Sequence, residues 1–208
     1  MSGQPVSAGF ETSLPFVLRW EGGFVDNPAD PGGRTNRGVT QKVYDRWRQE
    51  QNLPPRDVKL LDEPEMQAIY RAGYWVPGHC AELISPLDLV EFDTAVNMGV
   101  GRAIRFLQKA AGCQVDGAFG RGTRDALEAC DQGSTVIAYC DAREGYYRAL
   151  VVKNPKLGIF LNGWLNRLNA LRRQAGLPGY ETALPLDFGD AGFIARIPDL
   201  GENPDFDL

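Results

Sequence analysis

Apolar residues along this chain recur mostly at three- and four-residue intervals, and clusters of Gly, Pro, Asn and Asp separate the runs. That spacing predicts a helix-rich protein. Phe10, Leu14, Val17 and Leu18 form the first helical stripe, which leads up to Glu21. Pro15 interrupts it, so the helix either starts near Leu14, capped from Thr12 or Ser13, or is kinked at Pro15. Gly22 and Gly23 end it, because glycine enters the left-handed C-cap conformation cheaply. Residues 24–39 have few apolar anchors and suit an irregular loop or a short hairpin.

Helical segments then follow one another. Thr40 caps a helix from Gln41 to about Glu50, with Val43, Tyr44 and Trp47 inward. Asp62 and Glu65 form a capping box for a helix reaching about Tyr74. Ser85-Pro86 reads as an N-cap and first helical residue, opening a helix through Val90, Asp93 and Asn97 to Gly99. A short helix from Arg102 to Ala111 stops at Gly112, and VDGAFGRGT makes a tight turn into a helix around Thr123 to Cys130. Ser134 caps the next. Asn154-Pro155 opens the last, whose stripe is Phe160, Leu161, Trp164, Leu165, Leu168 and Leu171. No long-period repeat is visible.

Charge changes the picture only at the end. From Leu177 onward there are seven Asp/Glu against one Arg, whereas the remainder has 21 Lys/Arg against 20 Asp/Glu. The formal −5 is therefore a property of an acidic, Pro- and Gly-containing stretch, 177–208, expected to be extended or disordered. The neutral body has no basic stripe for nucleic acid. No stretch approaches the ~20 apolar residues of a membrane span, and the N-terminus lacks the pattern of a Sec-type signal, so synthesis in the cytoplasm is expected. Cys80, Cys113, Cys130, Cys140 and the single His79 form no zinc spacing, and the cysteines read as buried thiols. No metal or cofactor is implied, and a monomer is expected.

The candidate chemistry lies in RWEGGFVDNPADPGGRTNRGVT, residues 19–40. Glu21 sits at a helix C-terminus, whose partial negative charge disfavours a carboxylate. Apolar Trp20 and Phe24 beside it push the same way, toward the protonated form that a general acid needs. Asp30, in the DPGG turn, has the opposite setting, since backbone N–H groups there favour the ionised form. One protonated and one ionised carboxyl is the pairing that glycoside hydrolysis uses. Read singly, Glu21 is a surface carboxylate beside a helix stop, Asp30 an Asx-turn cap, and Thr35 carries no signal; their combination is what points to a site.

EGGF followed by DPGGRTNRGVT resembles the N-terminal signature of glycoside hydrolase family 108, the N-acetylmuramidases of phages and bacteria. The resemblance makes Glu21 the catalytic acid. The Glu–Asp–Thr order also resembles that of T-even phage lysozymes, with Asp30 and Thr35 in the second and third places. Thr35 follows Asp30 after four residues where those lysozymes have five, with Thr40 as a weaker substitute. EFDTAVNMGVGRAIRFLQKAAGCQVDGAFGRGTRDAL is similar to the peptidoglycan-binding region that accompanies the family.

The resemblance implies a mainly α, lysozyme-like fold with a small loop or β lobe near residues 22–40. It divides the chain into a catalytic region 1–95, a helical peptidoglycan-binding-like region 96–176 packed on it, and the tail 177–208. It implies hydrolysis of the β-1,4 bond between N-acetylmuramic acid and N-acetylglucosamine in peptidoglycan glycan strands. The enzyme would act on the wall as an endolysin after release by a holin or an export apparatus. Four further residues are candidate substrate contacts. Asp93 and Asn97, at i and i+4, either bond a glycan N-acetyl group or form an interior polar network. Tyr74 and Trp75 either stack on a sugar ring or pack in the core. Asp116, Gly117, Gly120 and Thr123 read as turn-shaping residues. A lytic transglycosylase, a Cys–His amidase using His79, and a non-catalytic wall-binding protein are the alternatives.

Overall fold

The computed structural model describes residues 9–26 and 33–179. Asp30 and the acidic stretch from residue 180 lie outside them. The architecture is mainly helical with one two-stranded sheet, as the periodicity predicts.

Helix α1 spans Gly9–Arg19 and keeps Pro15 inside it. It does not start near Leu14. Its beginning is anchored from afar, because the Gly9 N–H donates to the buried Asp88 carboxylate at 3.1 Å. Pro15 lies on the exposed side of the helix, while Phe10, Leu14, Phe16 and Val17 are buried. Strands β1 (Thr35–Asn36) and β2 (Val39–Thr40) pair antiparallel. Arg37 and Gly38 join them with φ of 48° and 75°, the two positive values of a type I′ turn, whose twist matches that of paired strands. Val25 pairs with Thr35 on the other side, so the loop folds into a small β lobe.

Thr40 caps α2 (Gln41–Glu50) by accepting from the Val43 N–H at 3.3 Å. Asp62 caps α3 (Glu63–Tyr70) by accepting from Glu65 N–H. The expected capping box is only half made, because the Glu65 carboxylate turns to Arg48, Arg56 and Tyr44. A π turn, Arg71–Trp75, continues α3. Helix α4 (Leu87–Met98) follows, with Pro86 at its N-cap position, so Ser85 lies outside the helix and does not cap it. Every residue of α4 is buried. It is the axis of the molecule, packed on α1 on one side and on α5 (Val100–Ala110) and α7 (Gln132–Lys153) on the other. Asp131, not Ser134, caps α7: its side chain accepts from the Ser134 N–H at 2.9 Å. Helices α6 (Arg121–Ala129) and α8 (Gly158–Gln174) complete the fold. One apolar cluster runs from Phe10 through Phe92 and Tyr147 to Leu171, so the core is continuous across Gly99.

Candidate active site

Glu21 lies just beyond α1. Its N–H donates to Leu18 O at 3.2 Å, extending the helix by a tightened last turn. Gly22, at φ 74°, then takes the left-handed step that turns the chain into the β lobe. The Glu21 side chain is only 3% exposed, and Arg167 Nη1 from α8 donates to its Oε1 at 2.8 Å. Of the two apolar neighbours expected to dry it, Trp20 is buried at 9% exposure, but Phe24 is 39% exposed with Lys59 Nζ 5.6 Å from its ring centre. Phe24 is therefore a surface ring of the lobe and not a cover for the carboxyl.

Arg167 is the first link of a buried ionic chain. Its Nε and Nη2 meet Asp93 Oδ1 at 2.9 and 2.8 Å. Asp93 Oδ2 accepts from Arg143 Nη1 at 2.7 Å. Arg143 goes on to the Thr94 hydroxyl, the Tyr147 hydroxyl and Asn97 Oδ1, and Tyr147 also donates to Asn97 at 2.8 Å. Burial works against charge on Asp93, but the Arg167 guanidinium and then Arg143 outweigh it and hold the carboxyl below its ordinary value. For Arg143 and Arg167 burial likewise opposes the charge. The facing anions overcome it and keep both guanidiniums charged.

Three candidate substrate contacts, each left open between a ligand and an interior reading, are buried in the structure. Asp93 and Asn97 are 0% and 3% exposed, and two arginines and a tyrosine take their oxygens, so they form the interior network and not a glycan contact. Trp75 is 4% exposed, edge-on to Phe10 and Phe92 with ring centres 5.7 and 5.3 Å away, which makes it core. Tyr74 is half-buried, tilted against Tyr70 at 5.7 Å. Thr35 is half-buried in β1 with its backbone paired to Val25, and its hydroxyl donates to Gly33 O at 3.3 Å. Among the described residues no cluster of His, Cys, Asp and Glu could hold a metal ion.

Comparison with known proteins bears on this arrangement. The family model described as "Glycosyl hydrolase 108" matches residues 14–99, and one described as "Predicted Peptidoglycan domain" matches 102–169. The solved structure of SagA from Brucella abortus is similar at 31% identity and a TM-score of 0.67, over 84% of this chain and 98% of that one. The chain belongs to glycoside hydrolase family 108. Its fold is lysozyme-like. It is a glycoside hydrolase, a peptidoglycan-degrading N-acetylmuramidase. Comparison with curated proteins finds no match.

In this family-108 muramidase, sequence reading missed Arg167 and Arg143. Each stands in an amphipathic helix with no motif around it, and their partners are 146, 74 and 50 residues away. A weak signal existed: Asp93 and Asn97 on a mostly apolar segment demand polar partners from somewhere. The DG-x-x-G-x-x-T stretch folds as a turn. Buried Gln108 donates to Asp116, Ala118 O and Thr123, and accepts from the Gly117 N–H at 2.8 Å.

Proposed function

We propose that Glu21 is the general acid of this muramidase and that Asp30, assisted by Thr35 of the β lobe, is the second catalytic group. The observation that carries the reading is the setting of Glu21: a carboxyl at the junction of α1 and the lobe, its side chain nearly dry and held by a guanidinium. A positioned acid protonates the leaving glycosidic oxygen as the bond breaks. The opposite carboxylate either activates water or attacks the anomeric carbon, and a hydroxyl near it orients the water. Tyr74, half-buried at the end of the π turn, is the aromatic surface we assign to a sugar ring.

Digestion of purified sacculi by wild type and Glu21→Gln, with products sized by mass spectrometry, tests this. Hydrated muropeptides ending in reducing N-acetylmuramic acid, lost in the variant, are expected. Anhydro products would make the enzyme a transglycosylase, and an active variant would remove Glu21 from the acid role. We further assign a bacteriolytic, endolysin-like role with assisted release. The substrate lies across a membrane, and no described helix is long and apolar enough to cross one. Expression in a bacterial cytosol should cause lysis only with a co-expressed holin; equal lysis without one counts against it.

A further inference from the structure

We propose that Arg167 is a positioning residue for Glu21, so that the region matched as a peptidoglycan domain completes the catalytic centre in addition to any hold it has on the wall. The proposal rests on the reading of Glu21 as the acid.

Four observations carry it. The Glu21 N–H closes the last turn of the helix on Leu18 O at 3.2 Å, and the chain then leaves through the glycine turn. The helix alone does not fix the direction of a three-bond side chain. Second, the Arg167–Glu21 pair excludes solvent, with side chains 1% and 3% exposed. An arginine merely covering a surface acid would stay wet. Third, Arg167 is itself clamped. Its Nε donates to Asp93 Oδ1, with Nη2 in ion-pair contact with the same oxygen at 2.8 Å but making no hydrogen bond, while Nη1 donates to Glu21. A rigid fork with two edges engaged sets position and angle together, which a flexible ammonium does not. Fourth, the clamp is anchored deep. Asp93 belongs to the fully buried α4, and Arg143 of α7 grips its other oxygen while bonding Thr94, Asn97 and Tyr147. The carboxyl is thus tied through two arginines and one aspartate to three helices. Two of these, α7 and α8, lie within or overlap the second matched region.

A reacting group displaced by ~1 Å costs on the order of 100-fold in rate. The experiment uses the full chain and soluble, uncross-linked glycan strands, with kcat and KM measured separately for Arg167→Gln, Arg167→Lys and Glu21→Gln, and folding followed by thermal melting. Arg167→Gln is expected to lower kcat by roughly 100-fold with KM within about twofold, and Arg167→Lys to restore about a tenth of the wild-type rate. A raised KM with unchanged kcat would overturn the proposal in favour of substrate binding by α8, and unchanged kcat and KM would overturn it outright. If Arg167→Gln does not fold, Arg167→Lys decides alone, and wild-type kcat in that variant overturns the positioning role. Retained activity in Glu21→Gln is a separate failure: it removes the acid assignment, and the proposal with it.

Discussion

Two carboxyls stand two residues apart on α4, each 0% exposed, and the two faces of the helix leave them in opposite charge states. Asp93 faces α7 and α8, where two guanidiniums keep it ionised. Glu91 faces a Tyr139 hydroxyl 2.7 Å away and, among the described residues, no cation, and burial pushes it up to about 8, against which the tyrosine hydrogen bond pulls the other way. At these two positions equal dryness does not set the charge; the two guanidiniums facing Asp93 do. The Tyr139 hydroxyl also lies 3.1 Å from Ala103 O, and its single proton cannot serve both acceptors. A neutral Glu91 resolves this by donating its own proton to Tyr139, which then donates to Ala103. One face of α4 is therefore ionic and tied through Arg167 to Glu21, the carboxyl proposed as the acid, and the other is neutral and structural.

The largest effect is expected from breaking the ionic face. Asp93→Ala leaves two buried guanidiniums without their shared anion, and breaking a buried pair this way costs about 3–5 kcal/mol. Urea denaturation measures it. A cost below about 1 kcal/mol would mean that the arginines find other partners and that the contrast between the two faces is not energetic. The acid side has a sign of its own. The folded value of Asp93 is depressed, so its contribution is present above the ordinary carboxylate range and lost as pH falls through the folded value.

The neutral face has the opposite sign. Glu91 is raised from 4.5 to about 8 on folding, so its contribution is complete below 4.5 and declines as pH rises toward 8. At pH 7 the penalty is roughly 3 kcal/mol, since the unfolded chain would be ionised there. Glu91→Gln keeps the neutral shape and removes the titration. The variant should be more stable than wild type at pH 8 and converge with it near pH 4.5, read from urea midpoints at both values. Parallel curves would place the titration elsewhere.

A smaller effect sharpens the same face. Tyr139→Phe removes the Glu91 partner and leaves a buried carboxyl unsatisfied, at about 1–3 kcal/mol. If Tyr139→Phe costs nothing in the Glu91→Gln background, the tyrosine serves only Glu91. An undiminished cost there would assign it to Ala103.

How much of this was legible in the sequence follows the range of each interaction. Thr40 as a cap, the bounds of α2, the stop at Gly22 and the last apolar stripe were all readable, because each depends on residues within one turn. Ser134 was misread because Asp131, three residues earlier, starts the helix sooner and caps the Ser134 N–H itself. The start of α1 stayed open between two readings because Asp88, 79 residues away, anchors it. At the site, the motif pointed to Glu21, but Arg167 was invisible for the same reason. For Asp93 and Trp75 both ligand and interior readings stayed open, because residue type does not reveal which face of a buried helix or turn it occupies.

The smallest effect belongs to the β lobe, where ions are exposed. Arg34 pairs with Asp26 at 3.1 Å and Asp57 at 2.7 Å, yet all three side chains are between 37% and 50% exposed. Water and salt screen such pairs, and ordering long side chains costs entropy, so Arg34→Gln should change stability by no more than about 1 kcal/mol. The lobe has other restraints that the substitution leaves alone: the paired backbones of Val25 and Thr35 at 2.8 and 2.9 Å, the Asn36 amide donating to Val58 O at 3.0 Å, and buried Val39. Denaturation at low and high salt checks this. A small loss that vanishes at high salt fits a screened pair, whereas a salt-independent loss of several kcal/mol would mean that this wall of the site is held by ions as firmly as α4 is.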